Sequence, residues 1–448
     1  MPGLMVNPLF AMQKSPRCLI LLALGFACSF SYAATRSWTD SNGRKVEAEF
    51  SGMKGDSVLL KLTTGQTVPF PLARLSGEDQ AFVKTLGGGG GGAPAASSPA
   101  PGASMDAKRV PLEKRIWPEA VVVPARSIEI AAITENVAER KFVYQSEAFE
   151  FTSQAKLAGS VMKEVARTFE ATRVLIDSLP WGIVCRPPEG RSRFLAALYE
   201  TRADYIAAGG PEMSGGVYSS GDKIFKIPFP SLGMEKRGQT YFKDDNYSNG
   251  TLVHEITHQL MDDYLGFLPK WVIEGTAEYT EMLPYKSGTF RAEAHKSGMK
   301  EDTDLWEKRE GFSLAIPNLE QMMTMNRDQW DAECSTSQKM RDMYHRSHLL
   351  VYYFCHLDGE GKGTRFIQFM DAVYGQVAEL RAFFADPRVK RMDGGRFSYP
   401  QDFPPPDMKA ETAPFKHLQL LIGERPYPKL AQEIMDGYKS IGVKVMVR

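Results

Sequence analysis

Gly87 to Gly92 is an uninterrupted glycine run, and Ala93 to Pro101 continue it with alanine, proline and serine alone. Such a stretch offers no large side chain to bury, and glycine loses more backbone freedom on ordering than any other residue. The prolines turn the tether semi-extended. No single core can run through it, so the chain must fold as separate parts on either side of a linker, read here as 87–117. Its 448 residues leave room for a small unit before the linker and a large one after it.

The front of the chain reads as a targeting segment. Lys14 and Arg17 precede an apolar run from Cys18 to Phe30, and Ser31-Tyr32-Ala33 supplies the small residues that a signal peptidase reads. Residues 1–33 are therefore expected to be a signal peptide cleaved before Ala34. A start at Met12 would give it a more usual length. The apolar run is too short to span a bilayer comfortably. No other stretch is long and apolar enough, so the mature protein is expected to be exported (periplasmic, cell-envelope or extracellular) without a transmembrane span. The 54 basic and 54 acidic side chains cancel, which removes any bulk electrostatic case for nucleic acid or anionic membrane as partner. Cys185, Cys334 and Cys355 remain after cleavage. They are too few and too scattered for a disulfide framework or a thiolate metal site, and buried free thiols are expected.

Residues 34–86 pattern as a compact β-rich unit. Lys45 to Phe50, Val58 to Leu62 and Thr67 to Pro71 read as strands, with turns at Asp40-Ser41-Asn42-Gly43 and Thr64-Gly65. Ser76-Gly77-Glu78-Asp79 predicts a helix start, with Ala81, Phe82 and Leu86 on one side. The segments Trp38-Thr39-Asp40-Ser41-Asn42-Gly43-Arg44 and Pro71-Leu72-Ala73-Arg74-Leu75-Ser76 resemble the Sla-type homology module over about fifty residues. That resemblance implies a small SH3-like β-barrel. It also implies a binding role toward a protein or cell-envelope ligand, with a passive spacer as the alternative.

From residue 118 to 448 the pattern is α+β. Ala120 to Val123, Ile128 to Ala132 and Phe142 to Thr152 predict strands, as do Trp181 to Cys185, Asp204 to Ala207, Gly216 to Ser219 and Lys223 to Ile227. Leu157, Val161, Val165, Phe169 and Leu175 predict a helix over 155–178, and the chain after Asn249 reads as mostly helical.

The chemistry concentrates in His254-Glu255-Ile256-Thr257-His258 and in Trp271-Val272-Ile273-Glu274-Gly275-Thr276-Ala277-Glu278-Tyr279. A helix over 249–264 puts His254 and His258 on one face, one turn apart. Two imidazoles so placed can share one zinc ion. Glu255, one position round, can take a proton from water at the metal. Glu274, returning from a second helix, supplies the third ligand that a catalytic zinc requires. Gly275 permits close approach of the two helices. Glu278, one turn further, is placed to accept the second ring N–H of a ligand histidine.

The paired motifs resemble those of the gluzincin metallopeptidases, the superfamily of thermolysin and aminopeptidase N. There, HExxH is followed by a helix of the form W-x-x-E-G-x-A-E-Y. Less specifically, the resemblance extends over most of residues 140–375. It implies a zincin-like metallopeptidase domain, a mixed sheet plus a helical half, with Zn2+ as cofactor and a peptide or protein as substrate. It also implies an oxyanion donor on a later helix: Tyr344, with His345 and His348 as alternatives. Gly216, Val217 and Tyr218 are expected on an edge strand that pairs with extended substrate. The G-x-M-E-N pattern of the aminopeptidase N relatives is absent, which argues against gripping a free N-terminus. The competing expectation is a non-catalytic cell-envelope binding or structural protein on the same scaffold. His356, near the end of the same later helix, reads as a capping or surface residue.

Overall fold

In the computed structural model, the described residues are 36–40, 44–54, 57–62, 66–76, 79–80, 83, 109–244, 246–308, 314–392 and 396–448. The expected signal peptide, the turn residues 41–43 and 63–65, most of the helix expected after Ser76, and the glycine run lie outside them. The described residues fall into two compact units, a small one within 36–83 and a larger one over 109–392 and 397–448.

The small unit is a four-stranded antiparallel sheet of β1 (Arg36–Thr39), β2 (Lys45–Lys54), β3 (Ser57–Leu62) and β4 (Thr67–Pro71), in sequential order. β1 was not expected. Its Trp38 is fully buried among Ala48, Val58, Leu60 and Leu75, and the indole N–H donates to the Ala48 carbonyl at 2.9 Å. Asp79 accepts from the Thr39 N–H at 2.7 Å and from Ser76 Oγ at 3.1 Å, so the segment after Ser76 closes back on β1.

The larger unit is mixed α and β. Six strands lie in the order β10-β11-β9-β8-β7-β6. They are β6 (Ala131–Asn136), β7 (Lys141–Gln145), β8 (Phe149–Ser153), β9 (Phe194–Tyr199), β10 (Val217–Ser219) and β11 (Ile224–Pro228), with β5 (Val121–Val122) outside this sheet. β8, β9 and β11 are parallel; β6, β7 and β10 run antiparallel to their neighbours. Helix α1 (Gly159–Ser178) covers the sheet. Its Phe169 meets Phe149, Phe151 and Phe225 at 5.0–5.4 Å between ring centres, all close to edge-on, the arrangement aromatic quadrupoles favour.

Several strand expectations are corrected. Phe142 to Thr152 is a hairpin rather than one strand. Buried Glu170 of α1 accepts from Ser146 Oγ at 2.7 Å and the Ala148 N–H at 2.8 Å, which stabilises the reversal. Asp204 to Ala207 lies in a short helix, α2 (Arg202–Ala207), whose N-cap Thr201 accepts from the Asp204 N–H. Trp181 to Cys185 forms no strand. Gly182 has φ +67, its carbonyl accepts from Arg109, and the Val184 N–H donates to the Tyr264 hydroxyl at 3.0 Å. Side chains thus satisfy backbone groups that a ladder would otherwise pair. Ile128 to Ala132 becomes a strand only from Ala131, after a 3-10 turn at Ala125–Ser127. The large unit also begins earlier than residue 118. Arg109 and Arg115 both pair with Asp371, and the Trp117 indole donates to the Lys362 carbonyl.

The helices beyond the sheet are α3 (Gly250–Leu260), α4 (Lys270–Met282), α5 (His295–Glu307), α6 (Ser337–His356), α7 (Thr364–Ala385) and α8 (Tyr427–Ser440), with shorter helical turns between them. Among the described residues, no helix is long and apolar enough to cross a membrane.

Candidate functional site: a two-histidine, one-carboxylate centre

Three contacts set α3 in place. The Gln259 side chain donates to the Leu195 carbonyl of β9 at 2.8 Å. Buried Thr257 and Thr280 share a hydrogen bond of 2.7 Å between α3 and α4. Val253, Ile256 and Leu260 are buried in the core. Pro269 caps the entry to α4, with its φ fixed by the ring, and its carbonyl accepts from Val272 and Ile273. The Trp271 indole donates to the Met323 carbonyl and anchors its first turn.

These contacts bring His254, His258 and Glu274 together, with one ligand atom of each lying within 4.8 Å of the others. Glu274 Oε2 stands 3.3 Å from His258 Nε2 and 3.6 Å from His254 Nε2. The imidazole rings are 4.9 Å apart and nearly perpendicular. Burial alone would raise the Glu274 carboxyl, but the two imidazoles outweigh it and hold the group well below the usual carboxylate range. The same Oε2 atom is buried and makes no hydrogen bond of sound geometry. An acceptor oxygen turned toward two imidazole nitrogens, each beyond good hydrogen-bond length, is the arrangement a shared cation would satisfy. Two nitrogens and one oxygen suit zinc.

The far nitrogen of His254 is doubly served. His254 Nδ1 lies 3.1 Å from Glu281 Oε2 and 3.5 Å from Glu278 Oε1. Glu281 was missed in the sequence. It stands one turn beyond Glu278, and only the helix crossing reveals that it comes closer. Glu278 is pushed up to about 7, chiefly by burial and also by the charge of Glu281, against the pull of His254 and His348. His254 itself is raised: burial opposes its charged form, but Glu274 and Glu281 prevail.

Glu255 faces the cleft. Burial raises its carboxyl, with His258 and His254 pulling the other way. Its Oε2 accepts from the Tyr218 backbone N–H at 3.1 Å. Among the described residues, β10 is an edge strand paired with β11 alone. The Tyr218 N–H is therefore engaged by Glu255, while Val217 and Tyr218 line the cleft. Gly216 precedes β10, and a Cβ there would meet the Lys226 carbonyl at 3.3 Å and Ile227 at 3.4 Å. Its missing side chain makes room for β11 rather than for a ligand.

Tyr344 of α6 joins Val217, Tyr218, Glu255, His258 and Glu274 around a cleft of about 540 Å³. Its ring stacks on that of His254, centres 5.9 Å apart and 12° from parallel. Burial, then the negative charge of Glu274 and Glu255, raises its hydroxyl, so it stays protonated. His345 and His348 do not line this cleft. Both are buried and turn to Asp302 of α5. His356, expected as a capping or surface residue, is half-buried. It bonds the Tyr279 hydroxyl at 2.9 Å and stacks on His295 at 3.7 Å.

Gly275 serves a different helix pair from the one expected. A Cβ there would lie 2.4 Å from the Ser347 carbonyl oxygen and 2.6 Å from Val351 Cγ2, both on α6. The glycine lets α4 approach α6, the helix that carries Tyr344, rather than α3.

Residues 31–89 match the family model for SLA1 homology domain 1 (SHD1), which supports the SH3-like character of the small unit. No curated protein matches the sequence.

Proposed function

We propose that the larger unit is a zincin-like, zinc-dependent peptidase of an exported protein. The observation that carries the reading is the convergence of His254 and His258 on Glu274 Oε2, with Glu255 and Tyr344 on the same cleft. His254, His258 and Glu274 would hold Zn2+, which when bound polarises a carbonyl and acidifies a water.

This chain's own residues account for the remaining work. Glu278 and Glu281 hold the His254 ring from behind, which fixes its tautomer and keeps Nε2 aimed at Glu274. The Tyr218 N–H orients the Glu255 carboxylate. A carboxyl raised by burial is a better base than an ordinary one, so Glu255 takes the proton of the attacking water and returns it to the leaving amine. Tyr344, held protonated, donates to the oxyanion as charge develops on it. Val217 and Tyr218 border the cleft, so an extended peptide would lie along β10, whose Tyr218 N–H stays committed to Glu255.

The small unit carries an apolar groove edged by Val46, Leu62, Val68 and Phe70, with Arg44 and Lys45 at its rim. That groove supports a binding role for this module toward a protein or cell-envelope ligand.

A mixed peptide library is the test. The zinc-replete chain is expected to cleave it, a chelator to abolish cleavage, and added zinc to restore it. Tyr344→Phe keeps the ring against His254 and removes only the hydroxyl. It is expected to lower kcat by roughly a hundred- to a thousand-fold, the usual cost of one oxyanion donor. A zinc-replete chain that cleaves no member of the library would overturn the reading.

A further inference from the structure

α6 carries a second histidine pair that the cleft does not use. His345 and His348 are three residues apart, so their rings share a face of the helix. Asp302 of α5 stands opposite. Its Oδ2 lies 3.1 Å from His348 Nδ1 and 3.4 Å from His345 Nδ1, and one ligand atom of each residue lies within 4.8 Å of the others. We propose that Asp302, His345 and His348 form a second divalent-metal site, separate from the cleft, that clamps α5 to α6.

The Asp302 distances fit a cation, while the two rings stand 6.3 Å apart centre to centre, wider than the 4.9 Å of His254 and His258, so binding would draw them together. A tetrahedral ion with zinc-like bond lengths separates its ligand atoms by about 3.3 Å. The Asp302 edges, 3.1 and 3.4 Å, straddle that value as closely as the 3.3 and 3.6 Å edges of the His254, His258 and Glu274 cluster. Two imidazoles and one carboxylate select zinc or a neighbouring transition ion over magnesium or calcium, which prefer oxygen alone. The surroundings suit a structural site with a solvent door. Both rings are almost fully enclosed, while the Asp302 side chain is 28% exposed and offers a way in. Trp306, one turn along α5 from Asp302, packs its ring 4.3 Å from that of His345 and fixes its orientation.

The site has a place in the architecture. Tyr344 lies one turn before His348 on α6, and the same helix seats against Gly275 of α4. A cation joining α5 to α6 would tie the helix that meets Gly275 to a second neighbour. The proposal does not depend on the peptidase reading.

Cobalt reports both sites by content and by visible absorption. The full chain is stripped with a chelator, reloaded with Co2+ and freed of excess ion. The wild type is expected to hold two equivalents, with His258→Ala and Asp302→Asn holding one each. Asp302→Asn is near-isosteric at a part-exposed position, and circular dichroism checks its fold. His348→Asn is the second variant. Cobalt is also expected to raise the melting temperature of His258→Ala but to raise that of the His258→Ala, Asp302→Asn double variant much less. If Asp302→Asn and His348→Asn bind as much cobalt as the wild type, the clamp is overturned. A single wild-type equivalent lost in His258→Ala overturns the clamp and leaves the cleft site standing. A single equivalent lost in Asp302→Asn does the reverse.

Discussion

Glu255→Gln is expected to lower turnover of a cleaved peptide by roughly a hundred- to ten-thousand-fold, the range for loss of a positioned general base. The substitution is nearly isosteric. Its amide oxygen can still accept the Tyr218 N–H that Glu255 now binds at 3.1 Å, so β10 and α3 should keep their places. Glu255 is not one of the three clustered ligand residues, so zinc content should be unchanged. The loss should fall on kcat rather than KM, because the carboxylate acts on the attacking water rather than on the bound peptide. Turnover by Glu255→Gln within a few-fold of wild type would remove the base from the account.

Gly275→Ala is expected to destabilise the larger unit, although the same change inside an ordinary helix is stabilising. Removing a helical glycine normally gains about 0.8–1 kcal/mol. Here the new Cβ would sit 2.4 Å from the Ser347 carbonyl oxygen and 2.6 Å from Val351 Cγ2. The oxygen belongs to the backbone of α6 and cannot rotate away as a side-chain end would. Overpacking of this kind costs typically about 1–3 kcal/mol and sometimes more, so the clash outweighs the propensity gain. A larger side chain, as in Gly275→Val, should cost more. Because Ser347 lies one turn from Tyr344, activity should fall along with the melting temperature. Thermal unfolding followed by circular dichroism decides it: a melting temperature raised by Gly275→Ala would show that the helices do not meet there.

The site was legible where its chemistry is local. The four-residue spacing of His254 and His258 is a property of one helix, and Glu274 follows from the paired second motif. The parts set by helix crossings were not. Glu281 approaches His254 more closely than Glu278 does, yet both stand on α4 with nothing in the spacing to rank them. The Thr257–Thr280 bond joins two ordinary threonines of different helices. Gly275 was recognised as a point of close approach, but a glycine does not say which helix approaches. Asp302 gives no hint in sequence that it faces His345 and His348.

The fold shows the same division. A strand rich in β-branched and aromatic residues, such as β11, was readable. β9, Phe-Leu-Ala-Ala-Leu-Tyr, lies at the centre of the sheet, parallel to both neighbours, and was missed. Its alanines favour no strand, and its place follows from burial between β8 and β11. The reversal at 146–148 depends on Glu170, 22 to 24 residues further on, and Trp181 to Cys185 is held by groups from distant segments. Long-range partners of this kind leave no local periodicity to read.

Zinc content tests the central claim most directly. Purified full-length wild type and His258→Ala are compared for bound zinc, with peptide hydrolysis measured on the same samples. The account predicts that His258→Ala carries one zinc equivalent fewer and loses hydrolysis. Equal zinc content in the two proteins, or undiminished hydrolysis by the variant, would contradict it.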